Sequence, residues 1–214
     1  MKRFFFLALA IPALFFLSAK PLSAQEELTV EQILSAVSEQ MDRGQTEGIE
    51  MDFEMKLPIV GTINSHSLTR GDRSRIDVKA EGKHSISWLD AYDDWTYEVE
   101  EGTITVTKRK SSGSESKNDI NSYGDLTEGY ESKIVSESPD AWVIVCKKLK
   151  SNKEKDDPKR IDLTVSKKTF LPIYFGAKVS IVTVAFKNVR IGVDEESVIF
   201  RPEDYPGITI VDKR

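Results

Sequence analysis

Two histidines, one cysteine and a cluster of three aspartates are the residues whose types could do chemistry in this chain of 214. His66 and His84 have the side chain of a general base or metal ligand. Neither stands at ligand spacing from the other or from a cysteine. His66 sits between Ser65 and Ser67 in an alternating segment, which predicts a strand surface or edge. Cys146 lies between Val145 and Lys147, also in a strand-like run. That setting predicts a buried thiol, because a nucleophilic cysteine wants exposed, electropositive surroundings. Asp90, Asp93 and Asp94 have the chemistry of a cation site, yet aspartate also favours turns, and a turn between two strands accounts for them. No glycine-rich phosphate loop, nucleophile elbow or kinase signature occurs. The residues therefore predict no enzyme, no cofactor and no metal, and the function is sought on surfaces.

Charge narrows the partners. The chain carries 30 Lys and Arg against 35 Asp and Glu. Three of the bases (Lys2, Arg3 and Lys20) fall in a leader without acids, so the remainder is near −8. A nucleic-acid binder would need a basic face, so none is expected as a partner. The leader itself has a basic start, an apolar run from Phe4 to Leu17 and the small-residue site Leu22-Ser23-Ala24. This predicts a cleaved signal peptide over 1–24 and a single mature domain over 25–214. The apolar run is shorter than the ~20 residues of a spanning helix. No cysteine follows the cleavage site for lipidation. The expectation is a soluble, unlipidated, monomeric periplasmic protein.

One helix is predicted from about Val30 to Arg43. Val30, Ile33, Leu34, Val37 and Met41 form an apolar stripe, Thr29 with Gln32 reads as a capping box, and Gly44 as a stop. Most of the rest alternates with a period of two. Strands are expected at Ile49–Leu57, Thr62–Arg70, Arg73–Ala80, Ser85–Leu89, Trp95–Glu100, Thr103–Lys108, Ile134–Ser136, Trp142–Leu149, Arg160–Ser166 and Pro172–Phe175, with the longest over Lys178–Ile191. Lys108–Lys117 and Ser151–Lys159 read as exposed loops, and Asn118–Tyr130 as a weak short helix bearing Gly124 and Gly129.

One amphipathic helix cannot cover some ten to eleven one-sided strands. Either the sheet closes on itself and is filled, or it stays half open around an apolar hollow. An open hollow fits a lipid-like ligand. Its expected lining is Met51, Phe53, Met55, Trp88, Trp95, Tyr97 and Val106, from alternating positions on successive strands. Bulges leave open which of Trp95 and Thr96 points inward.

Three blocks resemble the LolA family of periplasmic outer-membrane lipoprotein carriers. The closing run from Phe200 through Asp204-Tyr205-Pro206-Gly207 to Asp212-Lys213-Arg214 is similar to that family's ending, in its Bacteroidetes form. Leu68–Ile76 resembles its early arginine-bearing strand, and Trp88–Tyr97 its hairpin ending in Trp-x-Tyr. The resemblance implies an unclosed antiparallel β-barrel with an N-terminal helix and a short lid helix over an apolar cavity. It implies a carrier that takes acylated lipoproteins from an inner-membrane releasing transporter to an outer-membrane acceptor. A carrier or sensor of another lipid on the same fold is the alternative. The family's lid-latching arginine matches Arg70, with Arg73 as the alternative, because Gly71 stands where the family usually has proline.

Overall fold

The computed structural model describes residues 27–109, 129–155 and 157–214. The expected leader (1–24) and nearly all of the expected lid segment lie outside the described residues. The fold is mainly β: among the described residues, one α-helix and an unclosed sheet of twelve strands.

The helix α1 runs Val30–Glu47. Thr29 caps it: its hydroxyl accepts from the Gln32 amide, while the Gln32 side chain accepts from the Thr29 amide at 2.8 Å. The helix ends four residues later than Arg43. Gly44 is not its stop but a buried point of close approach, where an added Cβ would lie 2.4 Å from Ile49 Cγ1. Gly48 is the real cap, with φ 92°. Ile33, Leu34, Val37 and Met41 are all buried, each burial contributing roughly 1.5–3 kcal/mol.

The strands are β1 (Ile49–Leu57), β2 (Gly61–Arg70), β3 (Arg73–Ala80), β4 (Lys83–Leu89), β5 (Asp93–Glu98), β6 (Thr103–Lys108), β7 (Tyr130–Glu137), β8 (Ala141–Lys148), β9 (Arg160–Ser166), β10 (Pro172–Val179), β11 (Val182–Ile191) and β12 (Thr209–Asp212). Their order across the sheet is β12-β6-β5-β4-β3-β2-β1-β11-β10-β9-β8-β7. Two meanders thus meet at the β1/β11 pairing. All neighbours are antiparallel except the last: β12 runs parallel to β6.

Several strand expectations change, and β12 is a twelfth strand beyond the ten to eleven expected. Lys178–Ile191 is not one strand but the end of β10, a two-residue turn and β11, with Val179 opposite Val182. Ser180 takes a left-handed φ of 56° there. The two-residue turn inverts the alternation, so Val179 shares a face with Val182 and not with Thr183, and no Gly, Asn or Pro marks it. Tyr130 opens β7 rather than closing a helix.

Register fixes which side chains share a face, because directly opposed residues point the same way. Phe53 lies opposite Ser65, Ser65 opposite Val78, and Val78 opposite Ser85. On the other side, Glu50, Leu68, Arg75, Trp88, Trp95 and Val106 form one rung. Helix α1 packs on the Phe53 side, in a core with Ile49, Ile144, Ile161, Leu163 and Val165. The apolar side of the sheet therefore changes from one half to the other. Over β7–β11 it is the helix face; over β4–β6 it is the opposite face, where Ile86, Trp88, Ile104 and Val106 are buried.

Candidate functional site

The opposite face is closed by the chain's own C-terminal segment. After β11 the chain crosses the end of the sheet and forms two 3-10 turns, Glu195–Val198 and Pro202–Asp204. This strap lays Phe200 and Tyr205 on the rung side chains. Phe200 stacks on Trp95 at 4.4 Å between ring centroids and meets Trp88 at 5.2 Å. Tyr205 meets Trp88 at 5.6 Å and Tyr97 at 5.2 Å, edge-on. Arg75 lies over the Trp88 ring and Arg214 over the Trp95 ring. Burial raises the Tyr205 phenol above its ordinary pKa.

Two arginines pin the strap where it starts. Arg70 donates from Nη1 to the Val193 carbonyl, and Arg73 pairs with Glu195 at 3.1 Å. At its end, Arg214 holds Asp93 at 2.7 Å while β12 pairs with β6. Both candidate latch residues thus engage the C-terminal strap.

The helix face is built differently. Met51 packs against the α1 core. Phe53 meets Phe186 at 5.1 Å, and Phe186 meets Phe175 at 5.6 Å. Met55 lies opposite Val184. Phe53 and Met55 are only partly buried. Across β2–β6 the same face continues as Ser65, Ser67, Ser85, Ser87, Thr96 and Thr105, with Ile76 and Val78 between them. Ser87 and Thr96 are hydrogen-bonded at 3.2 Å.

Of the seven expected lining residues, Met51, Phe53 and Met55 therefore share the helix face, while Trp88, Trp95, Tyr97 and Val106 share the strap face. The structure brings each group together but not the two with each other. Thr96, not Trp95, points to the Phe53 side. Sequence reasoning missed Val184, Phe186 and Phe175 as neighbours of Phe53. The hidden β10–β11 turn concealed their register. Phe200 and Tyr205 were visible only as part of a resemblance.

The residues with chemical potential are accounted for. Cys146 is buried in the α1 core, and burial raises its thiol pKa. Asp90 Oδ1 accepts from the amides of Tyr92 (2.7 Å) and Asp93 (2.8 Å), a hydrogen-bonded turn, while Asp93 and Asp94, also expected in the turn, open β5. His66 pairs with Asp52 at 2.8 Å and His84 with Asp77 at 2.9 Å. These pairs lie on the strap face, and Asp52, His66, Asp77, Lys79 and Lys187 line an open polar recess of about 300 Å³. Hydrogen bonds, first from Asn188 and then with His66, hold the Asp52 carboxyl below its ordinary pKa. A depressed carboxylate adds stability above the unfolded-state pKa of about 3.9 and loses it as pH falls through the folded value. Asp52→Asn should therefore lower the Tm slightly at pH 6–8, and the difference should shrink as pH falls below about 3.9. The effect is small because the Asp52 side chain is 44% exposed. Thermal melts across that range check it; a difference that grows toward acid would refute the assignment.

No family model matches this chain. No curated protein matches it either. Among solved structures, the chain is similar to an uncharacterized conserved protein from Thermus thermophilus, with 12% identity, TM-score 0.43 and coverage of 86% of this chain and 98% of that one. It is similar to a LolA superfamily protein from Nitrosomonas europaea (11% identity, TM-score 0.34, 82% and 99%). It is also similar to the lipoprotein LppX of Mycobacterium tuberculosis (8% identity, TM-score 0.44, 74% and 94%).

Proposed function

We propose that this protein is a non-enzymatic periplasmic carrier, made with a cleaved leader, that shelters the acyl chains of lipoproteins between the inner and outer membranes. The observation that carries this reading is the half-covered apolar tract on the helix face of an open sheet, Phe53, Met55, Phe175 and Val184 around the buried Phe186. An acyl chain gains about 0.8 kcal/mol per CH₂ removed from water. A carrier must also release its load. The tract runs into serine and threonine side chains, so part of the surface offers hydroxyls rather than apolar contact. Among the described residues no helix is long and apolar enough to cross a membrane. An inner-membrane releasing transporter and an outer-membrane acceptor are the partners this role requires. Mass spectrometry of what co-purifies from the periplasm tests the reading. Acylated proteins support it; free lipid alone assigns the face to another lipid, and no bound lipid at all overturns it.

In this reading Arg70, with Arg73 as the alternative, is the latch residue and acts through the strap. A hydrogen bond from a guanidinium to a partly buried carbonyl is worth about 1.5–3 kcal/mol. An exposed ion pair such as Arg73–Glu195 is worth about 0–1 kcal/mol. Arg70→Leu should thus impair hand-over of loaded lipoprotein to the acceptor, and Arg73→Leu much less. Transfer assays with both variants decide: loss in Arg73→Leu alone names the wrong arginine, and normal transfer by both sinks the latch.

A further inference from the structure

The end of the sheet opposite the strap's crossing carries apolar residues where turns usually carry polar ones. The β1–β2 tip is Pro58-Ile59-Val60, closed by Gly61 at φ 86°. The β10–β11 tip is Ser180-Ile181. Ile59 is 94% exposed, Ile181 66% and Val60 45%. Hairpin tips favour Gly, Asn, Asp and Ser, each for a local backbone reason. Isoleucine at such a tip supplies neither a left-handed backbone nor a hydrogen bond. Nor do these residues help the core, since they are in solvent.

The two tips are neighbours. β1 and β11 pair antiparallel, and Lys56 lies directly opposite Thr183. Lys178 lies opposite the same Thr183 from β10. The last rung shared by all three strands is therefore Lys56–Thr183–Lys178, with both lysines exposed. Lys56 also reaches Glu54 at 3.1 Å. Farther along this end, Lys147 lies opposite Arg160, whose guanidinium is bonded to Asp162 at 2.6 Å, and the half-exposed Leu149 follows β8. The basic groups nearest the tips are thus the two lysines of that rung, on a chain whose net charge is −5.

We propose that this end of the sheet is a docking surface for an anionic lipid bilayer. The isoleucine tips enter the headgroup region, and the lysine rung meets lipid phosphates. A protein partner fits less well. A stable protein interface uses about 20–30 residues on each side, whereas a few convex tips present no groove and little area. A bilayer accepts convex tips, and apolar insertion combined with basic residues is how weak, reversible surface binding arises. The proposal holds whatever the helix face shelters.

Co-sedimentation of the purified protein with vesicles tests it. The expected result is binding to vesicles of phosphatidylglycerol and phosphatidylethanolamine, weakened by salt, and little binding to phosphatidylcholine alone. Ile59→Asp with Ile181→Asp should lower the partition constant at least about tenfold. Lys56→Gln or Lys178→Gln should each lower it about fivefold, at about 1 kcal/mol per lysine near an anionic surface. The substituted side chains are exposed, so circular dichroism spectra should be unchanged. Absence of binding at low salt, or binding indifferent to the tip substitutions, overturns the proposal. So does tip-dependent self-association without vesicles, measured by sedimentation equilibrium, because the tips would then face a second copy.

Discussion

Trp88→Ala is expected to lower the unfolding free energy by about 3–5 kcal/mol, the usual cost of truncating a buried indole. Trp88 is 4% exposed and sits between Phe200, Tyr205 and the Arg75 guanidinium. Its removal takes away a ring that contacts both aromatic residues of the strap. The loss should appear as a lower denaturation midpoint in urea. It should also appear as faster amide exchange along 194–212 before global unfolding, because the strap loses its largest anchor. A small loss, with unchanged exchange in that segment, would mean the strap is held by its arginines and β12 instead.

Gly48→Ala is expected to cost about 2–6 kcal/mol, through two effects that add at one atom. Gly48 has φ 92° and ψ 151°, a region open essentially to glycine alone, and forcing another residue into it costs about 1–3 kcal/mol. The new methyl would also lie 2.7 Å from Val193 Cβ and 2.9 Å from the Thr69 carbonyl oxygen. The carbonyl belongs to a paired strand and cannot swing aside, so overpacking adds about 1–3 kcal/mol. Gly192→Ala is the control: its φ of 99° is comparably strained, but nothing lies within 4 Å of the added Cβ. Chemical denaturation of both variants should separate strain from collision. Equal losses would show that the contact at Gly48 relaxes freely.

Much of this architecture was legible in the residues. Thr29 and Gln32 announced the start of the helix, and the alternation of Ile49 to Leu57 announced β1. The face of each side chain was harder, for a definable reason. Odd and even positions hold their meaning only within one strand, and the turn between two strands decides whether it carries over. The three-residue tip Pro58-Ile59-Val60 preserves parity, so Phe53 meets Ser65. The two-residue turns at Gly71-Asp72 and Glu81-Gly82 each invert it, so Ser65 meets Val78 and Val78 meets Ser85. Trp88 consequently points away from Phe53, although both looked like lining of a single hollow. The strap was illegible for a different reason. Phe200 and Tyr205 lie in a segment without periodicity, and their burial depends on a sheet face that only register reveals.

The meeting of the two meanders at β1 and β11 has a kinetic consequence. Within β1–β6 and within β7–β11, every strand pairs with its neighbour in sequence, so each meander can zip up through short closures. Ile49 opposite Ile191 joins residues from opposite ends of the described chain. Long closures of this kind carry an entropy cost before any contact repays it, and they slow folding in proportion to how much of the sheet waits on them. Until the seam forms, β1 and β11 each expose a row of unpaired amides and carbonyls, with Phe53 and Phe186 beside them. Such an edge pairs readily with another chain. The newly made protein is therefore most prone to aggregate in the interval between completing its two halves and joining them, and a chaperone that guards it would act on that seam.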